Sequence, residues 1–167
     1  MAHPTSPMLF LLGAAGAIAA TGLLPSYNLQ IVRETFRKWG TGEGSFNELL
    51  AEDAVVEIPG IAAHCGIFSK SVFVREVATP FIARFSKPPL PQARKIWSEG
   101  RDVVVLADAE GIRRDGKPYA NSYVFVLNMR RGRVVRAVEF LDMAAFNEVW
   151  DQVELAPNAG TVTDARR

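Results

Sequence analysis

From residue 93 to residue 142 the chain strings together four strand-like segments with only short turns between them. "ARKIWSE" (93–99), "DVVVLADAEGI" (102–112), "PYANSYVFVLN" (118–128) and "RVVRAVEFLD" (133–142) are rich in Val, Ile, Tyr and Phe. The turns fall at Gly100, at "RRDGK" (113–117) and at Gly132. Connections this short join antiparallel neighbours, whereas a parallel pair needs a crossover of about a dozen residues or more. The stretch therefore predicts an antiparallel meander.

The upstream half reads differently. "NLQIVRETFRKWG" (28–40) places Leu29, Val32, Phe36 and Trp39 at helical spacing, and Gly40, Gly42 and Gly44 end that helix. Ser45 is placed to cap a short second helix in "FNELLAED" (46–53), and "AVVEIPG" (54–60) is a strand that Pro59 and Gly60 stop. A loop carrying His64 and Cys65 leads to a third helix, "SKSVFVREVATPFIARF" (69–85), in which Pro80 predicts a kink or a split. "SKPPLP" (86–91) reads as the connection into the meander. Beyond it, Asp142 can cap a last helix over 143–153, followed by a loose tail from 154 to 167. Helices first and an antiparallel sheet afterwards mean α+β, with helices packed on one face of a curved sheet. Both faces of the later strands are apolar, with Tyr123, Phe125 and Leu127 on one side and Val124 and Val126 on the other. A sheet with one wet face alternates more cleanly, so a second copy of the chain is expected to cover the outer face as a homodimer.

At 167 residues the chain fits one domain, and a domain of that size buries roughly two thirds of its unfolded surface. With 19 Lys and Arg against 18 Asp and Glu, it lacks the basic footprint that nucleic acid demands, so no nucleic-acid partner is expected. Cys65 is the one cysteine, which excludes an internal disulfide framework and a multi-cysteine metal site. No cluster has metal-ligand spacing, and there is no Gly-rich phosphate loop. The N-terminal "MLFLLGAAGAIAATGLL" (8–24) is uncharged, and the first Lys or Arg is Arg33. Ala17, Ala19 and Ala20 offer cleavage points for a secretory signal, which implies an exported or periplasmic protein. Against that reading, "MAHPTSP" lacks a positive n-region; an uncleaved anchor, or an extra helix on a cytoplasmic domain, are the alternatives. Residues 1–26 are set apart as a leader, which leaves 27–153 as the folded domain.

The order of elements, together with "FNELLAEDAVVEIPG" (46–60), "DGKPYANSYVFVLN" (115–128) and "GRVVRAVEFLDMAAFNEVW" (132–150), resembles the nuclear transport factor 2-like fold. Within that fold it looks like the SnoaL-like branch of small polyketide cyclases and ketosteroid-isomerase-like proteins. The resemblance covers about residues 28–152. It implies a cone-shaped curved antiparallel sheet, packed by three to four N-terminal helices and one C-terminal helix around an apolar pocket. If Glu139 points inward, period-two alternation takes Ala137 and Leu141 with it. Matched to the family's turns, Leu106, Asp108 and Glu110 on one strand and Asn121 and Tyr123 on the next also turn inward. Phe36, Trp39, Val56, Ile58 and Phe146 complete the implied wall for a substrate.

Carried over residue by residue, the family's epoxide-hydrolase members place acids where Asp108 and Glu139 stand, with an arginine between them. Here that arginine position is Leu106, and the residues that would hold the attacking water fall at Val56 and Ile58. The resemblance therefore does not extend to epoxide hydrolysis. In ketosteroid isomerases the proton-shuttling aspartate falls at Ile58, and their protonated aspartate falls close to Tyr123, whose phenol can donate the same kind of hydrogen bond. What remains is Asp108 and Glu139 as an acid/base pair, Tyr123 and Asn121 as donors to a carbonyl or enolate oxygen, and His64 at the mouth. Two functions follow. One is a cofactor-independent isomerase, cyclase or dehydratase acting on a hydrophobic carbonyl compound; the other is a member that binds such a molecule without chemistry.

Overall fold

The computed structural model describes residues 27–155. The expected leader at 8–24, with its cleavage points at Ala17, Ala19 and Ala20, and the tail from residue 156 onward lie outside the described residues. Among the described residues, no helix is long and apolar enough to cross a membrane.

Helix α1 (Tyr27–Thr41) turns Leu29, Val32 and Phe36 into the core, as their spacing predicts. The short helix expected at 46–53 is reduced to one 3-10 turn, Phe46–Glu48, because strand β1 already begins at Leu50 and runs to Ile58. Pairing decides this: β6 takes up Leu50 opposite Val134, a bulge between Leu50 and Val55 carries the strand through the charged "AED", and β2 joins on the other side only from Val55. Strand β2 (Gly66–Ser69) pairs antiparallel with β1, and at four residues it is too short to leave an alternation signal.

The third helix runs in three pieces, α2 (Lys70–Val72), a π-helical segment (Phe73–Ala78) and α3 (Thr79–Ile82). Pro80 does not split it. The proline sits in the first turn of α3, where its missing N–H is least missed, and the wider π turn lies just ahead of it. Phe73, Val77 and Phe81 form one buried row toward the sheet.

Strand β3 (Phe85–Glu99) begins inside the expected connector and contains Pro88, Pro89 and Pro91. It can do so because it is the edge strand, with a ladder on one side only, and because its register with β4 shifts at Phe85/Lys87 and Lys87/Leu90. Strands β4 (Asp102–Arg113), β5 (Pro118–Arg130) and β6 (Arg133–Leu141) complete the meander, and α4 (Met143–Gln152) follows. The six strands are ordered β2-β1-β6-β5-β4-β3. All neighbours are antiparallel, as expected for the meander, except β1 and β6, which run parallel.

The sheet is curved, and its concave face holds the core. Along β5, Tyr119, Asn121, Tyr123, Phe125, Leu127 and Met129 are all buried, while Val124 and Val126 between them are half-exposed. An aromatic cluster joins α1 to this face, with Phe36 5.2 Å and Trp39 6.1 Å from the ring of Phe125. The convex face carries Val104, Leu106, Val124, Val126 and Val138, with Trp97 and Phe140 exposed at 43% and 50%. Helix α4 is capped at its start and tied to the sheet from its middle to its end, where Arg113 reaches Glu148 and Gln152. The Asp142 carboxylate accepts from the backbone N–H groups of Ala144 and Ala145, and buried Arg113 binds Glu148 at 2.7 Å and Asp115 at 2.6 Å.

Candidate active site

Between the concave face and the helices lies a cavity of about 140 Å³. Tyr123, Phe125, Glu139, Leu141 and Ala109 face it from the sheet, and Ile58 from β1. Trp39, Phe46, Phe73, Val77, Phe81 and Phe146 enclose it from the helical side, and Pro89 and Pro91 close one flank. Ser45 and Asn47, on the 3-10 turn, are polar members of the lining.

Strand register explains why these side chains meet. Residues directly opposite in an antiparallel pair share a face. Phe125 lies opposite Glu139, Tyr123 opposite Leu141 and also opposite Ala107, and Asn121 opposite Ala109. Glu139 is thus carried inward by the same pairing that buries Phe125.

The same register removes three expected residues from the cavity. Leu106, Asp108 and Glu110 lie opposite Val124, Ser122 and Ala120, on the convex face. There Asp108 accepts a hydrogen bond from Ser122 Oγ at 2.7 Å and pairs with Arg94 at 3.3 Å. The physical reason is parity. Across the 113–117 turn odd residues pair with odd, so a register that turns Asn121 and Tyr123 inward must turn 107 and 109 inward as well. Alanines stand at those positions, and Ala109 leaves room for the cavity. Asp108 and Glu139 therefore do not form a pair.

Other expected residues separate in the same way. Trp39, Ile58, Leu141 and Phe146 line the cavity, but Phe36 and Val56 are core, 2% and 0% exposed, and lie outside the lining. His64, expected at the mouth, is not part of the lining; its ring stacks on Trp150 of α4 at 3.8 Å and lies 6.3 Å from that of Phe146, which is. Burial, and to a lesser degree the nearby Arg84 cation, holds its imidazole below the usual range.

Glu139 is the one carboxylate in the lining. It keeps some accessible surface because the cavity reaches it, yet protein surrounds it, and burial pushes its carboxyl from 4.5 up to about 7. Among the described residues no cation pairs with it. Such a group exchanges a proton readily at neutral pH.

Beside it stands a directional chain of hydrogen bonds. The backbone of Asp142 fixes the Asn121 amide at both ends, its N–H donating to Oδ1 at 2.9 Å and its C=O accepting from Nδ2 at 3.0 Å. With the amide so oriented, Nδ2 also donates to the Tyr119 hydroxyl at 2.8 Å, and that hydroxyl lies 2.8 Å from the hydroxyl of Tyr123. Tyr119 is 4% exposed. If Tyr123 donated to it, the hydrogen of Tyr119 would be buried without an acceptor. The satisfied arrangement runs from Asn121 to Tyr119 to Tyr123, and it leaves the Tyr123 hydrogen free for the cavity. Burial pushes Tyr119 up to about 12 and Tyr123 well above its ordinary value, so both remain neutral donors at physiological pH.

Tyr119, Phe125, Ala109, the Phe73–Val77–Phe81 row and the two prolines were not singled out as site residues by sequence reasoning. Tyr119 was within reach of it, because it lies four residues from Tyr123 on one strand and so shares its face. The prolines were not, since nothing local marks "KPPLP" as a strand.

No family model matches the sequence, and no curated protein matches it. Solved structures do. A nuclear transport factor 2-like protein of Burkholderia thailandensis superposes with a TM-score of 0.59 at 15% identity, covering 74% of this chain and 96% of that one. IdmH of Streptomyces antibioticus, a proposed polyketide cyclase, gives a TM-score of 0.59 at 19% identity over 75% of this chain and 99% of its own. A proposed SnoaL-like polyketide cyclase from Jannaschia gives 0.54 at 18% identity over 73% and 90%. At these identities the likeness establishes the fold.

Proposed function

On the premise that the chain has the nuclear transport factor 2-like fold, we propose that it is a cofactor-independent acid/base catalyst acting on an enolisable carbonyl compound. The observation that carries this reading is Glu139, a carboxyl in an apolar cavity whose burial brings it to about 7. Glu139 takes a proton from the carbon next to the carbonyl, the Tyr123 hydroxyl donates to the oxygen as negative charge develops there, and Tyr119 and Asn121 hold that donor in place. With one carboxylate available, the proton returns from the group that removed it. This favours isomerisation or intramolecular carbon–carbon closure over a reaction that needs a separate acid and base. The fold neighbours described as proposed polyketide cyclases are compatible with the second of these.

The test is deuterium incorporation at the α-carbon of simple ketones in D2O, followed by NMR with acetone, cyclohexanone and 2-decalone as probes. The protein should accelerate exchange of at least one probe, with a rate that rises as pH passes through about 7. Glu139→Gln should reduce it by roughly 10²-fold. Exchange that is absent for every probe, or unaffected by Glu139→Gln, overturns the catalytic reading, and binding without exchange then assigns the pocket to a carrier or sensor.

A further inference from the structure

Resting on that reading of the site, we propose that its substrates are neutral carbonyl compounds built on a single ring, and that the proline-rich arm of β3 sets this limit. Three observations carry it: the volume, the rigidity of the wall and the charge of the lining.

A cavity of about 140 Å³ is close to the engineered ~150 Å³ cavity that stays dry and accepts benzene. It therefore holds one six-membered ring with its carbonyl oxygen, and a fused second ring has to project into the opening of the cavity, where it is less well packed.

The wall cannot easily give way. Pro89 and Pro91 form the flank, and the backbone of their arm is seated directly on two glycines. A Cβ on Gly40 would meet Pro91 O at 2.6 Å, and a Cβ on Gly111 would meet Lys87 O at 2.7 Å and Pro89 N at 2.9 Å. Gln92 Nε2 adds a hydrogen bond to Gly40 O at 3.1 Å. Proline fixes φ along the arm, so the arm has few ways to swing outward as a unit. On the opposite side Phe81 and Phe146 stack at 4.5 Å and brace each other.

The lining contains no Lys or Arg, while Glu139 becomes anionic above about 7. An acid, a phosphate ester or another anionic ligand would meet an uncompensated negative charge in an apolar site, which is strongly unfavourable. The ligand is neutral, and its one required polar atom is the oxygen facing Tyr123.

Equilibrium binding to the full chain at pH 8, followed by saturation-transfer NMR on the ligand, tests the limit independently of turnover. The probes are cyclohex-2-enone, 2-decalone and cyclohexanecarboxylate. Cyclohex-2-enone should bind at least tenfold more tightly than 2-decalone, and cyclohexanecarboxylate should not saturate. Val77→Ala opens the cavity by two methyl groups and should raise the affinity for 2-decalone about fivefold while lowering that for cyclohex-2-enone. This gain cannot come from misfolding. A bicyclic ketone that binds the wild type as tightly as the single ring overturns the proposal, as does a carboxylate that saturates or a cyclohex-2-enone that fails to bind. Size-limited binding without α-exchange in any ketone upholds the substrate limit and overturns the catalytic reading; exchange of 2-decalone as fast as that of cyclohexanone does the reverse.

Discussion

Glu139→Gln should stabilise the protein, and only above the pH at which a free glutamate ionises. Burial raises the folded carboxyl from 4.5 to about 7, so the sign follows from proton counting. Below 4.5 both folded and unfolded chains hold the proton, and Glu139 contributes no pH dependence. Between 4.5 and about 7 the unfolded chain releases the proton while the folded chain keeps it, so stability falls as pH rises. Above about 7 both are ionised and the penalty is constant. A shift of this size, at about 1.4 kcal/mol per unit, sets a ceiling of about 3.5 kcal/mol on the loss.

A glutamine side chain has nearly the shape of a glutamate and no charge, so the variant should escape the penalty. Urea unfolding followed by tryptophan fluorescence, on both proteins at pH 4 and pH 8, measures the difference. The two should match at pH 4, and the variant should gain roughly 2–3 kcal/mol over the wild type at pH 8. Every other titrating group cancels in the comparison. Stability curves that stay parallel from pH 4 to pH 8 would refute the buried-carboxyl argument, and with it the basis for catalysis by Glu139.

Tyr119→Phe keeps the ring and removes the middle link from Asn121 to Tyr123. In whichever ketone exchanges, kcat should fall about tenfold with KM little changed, and unfolding should cost about 1–3 kcal/mol less because the Asn121 N–H loses its buried acceptor; an unchanged kcat would place the chain of hydrogen bonds outside the reaction. The convex face, with Trp97 and Phe140 exposed beside a strip of valines, is expected to pair two copies of the protein. Light scattering at tens of micromolar should report a dimer that Val126→Asp dissociates; a wild-type monomer rejects the pairing.

The fold was legible wherever one segment carried its own signal. The meander was readable from four β-rich runs and their turns, α1 from its apolar spacing, and the start of α4 from Asp142. Legibility failed where pairing overrode local preference. "FNELLAED" has the composition of a helix, yet its second half is drawn into β1, where Leu50 pairs with Val134 of β6. "SKPPLP" has the composition of a turn, and only its place at the sheet edge makes it a strand. In the site, Glu139 and Tyr123 were singled out for the right face, and Asp108 for the wrong one. Resemblance had placed Asp108 inside, although the odd-to-odd pairing that buries Tyr123 forbids it. Parity within one hairpin is a stronger constraint than a position carried over from remote relatives.

The loss of Asp108 from the cavity changes the chemistry more than the gain of any residue. Two carboxylates in one apolar site raise each other's proton affinity by repulsion, and they divide the roles of acid and base. A single carboxylate has no such partner, so burial alone must bring it to the range where it both gives and takes a proton. The cavity around Glu139 does this with aromatic rings and prolines, while the polar work is displaced to a neutral donor held from behind by Tyr119 and Asn121. A neutral donor leaves the carboxyl near 7, whereas a cation in its place would drive the carboxyl back toward 4.5 and abolish its value as a base. The absence of Lys and Arg from the lining and the presence of the tyrosine chain are therefore two halves of one electrostatic arrangement.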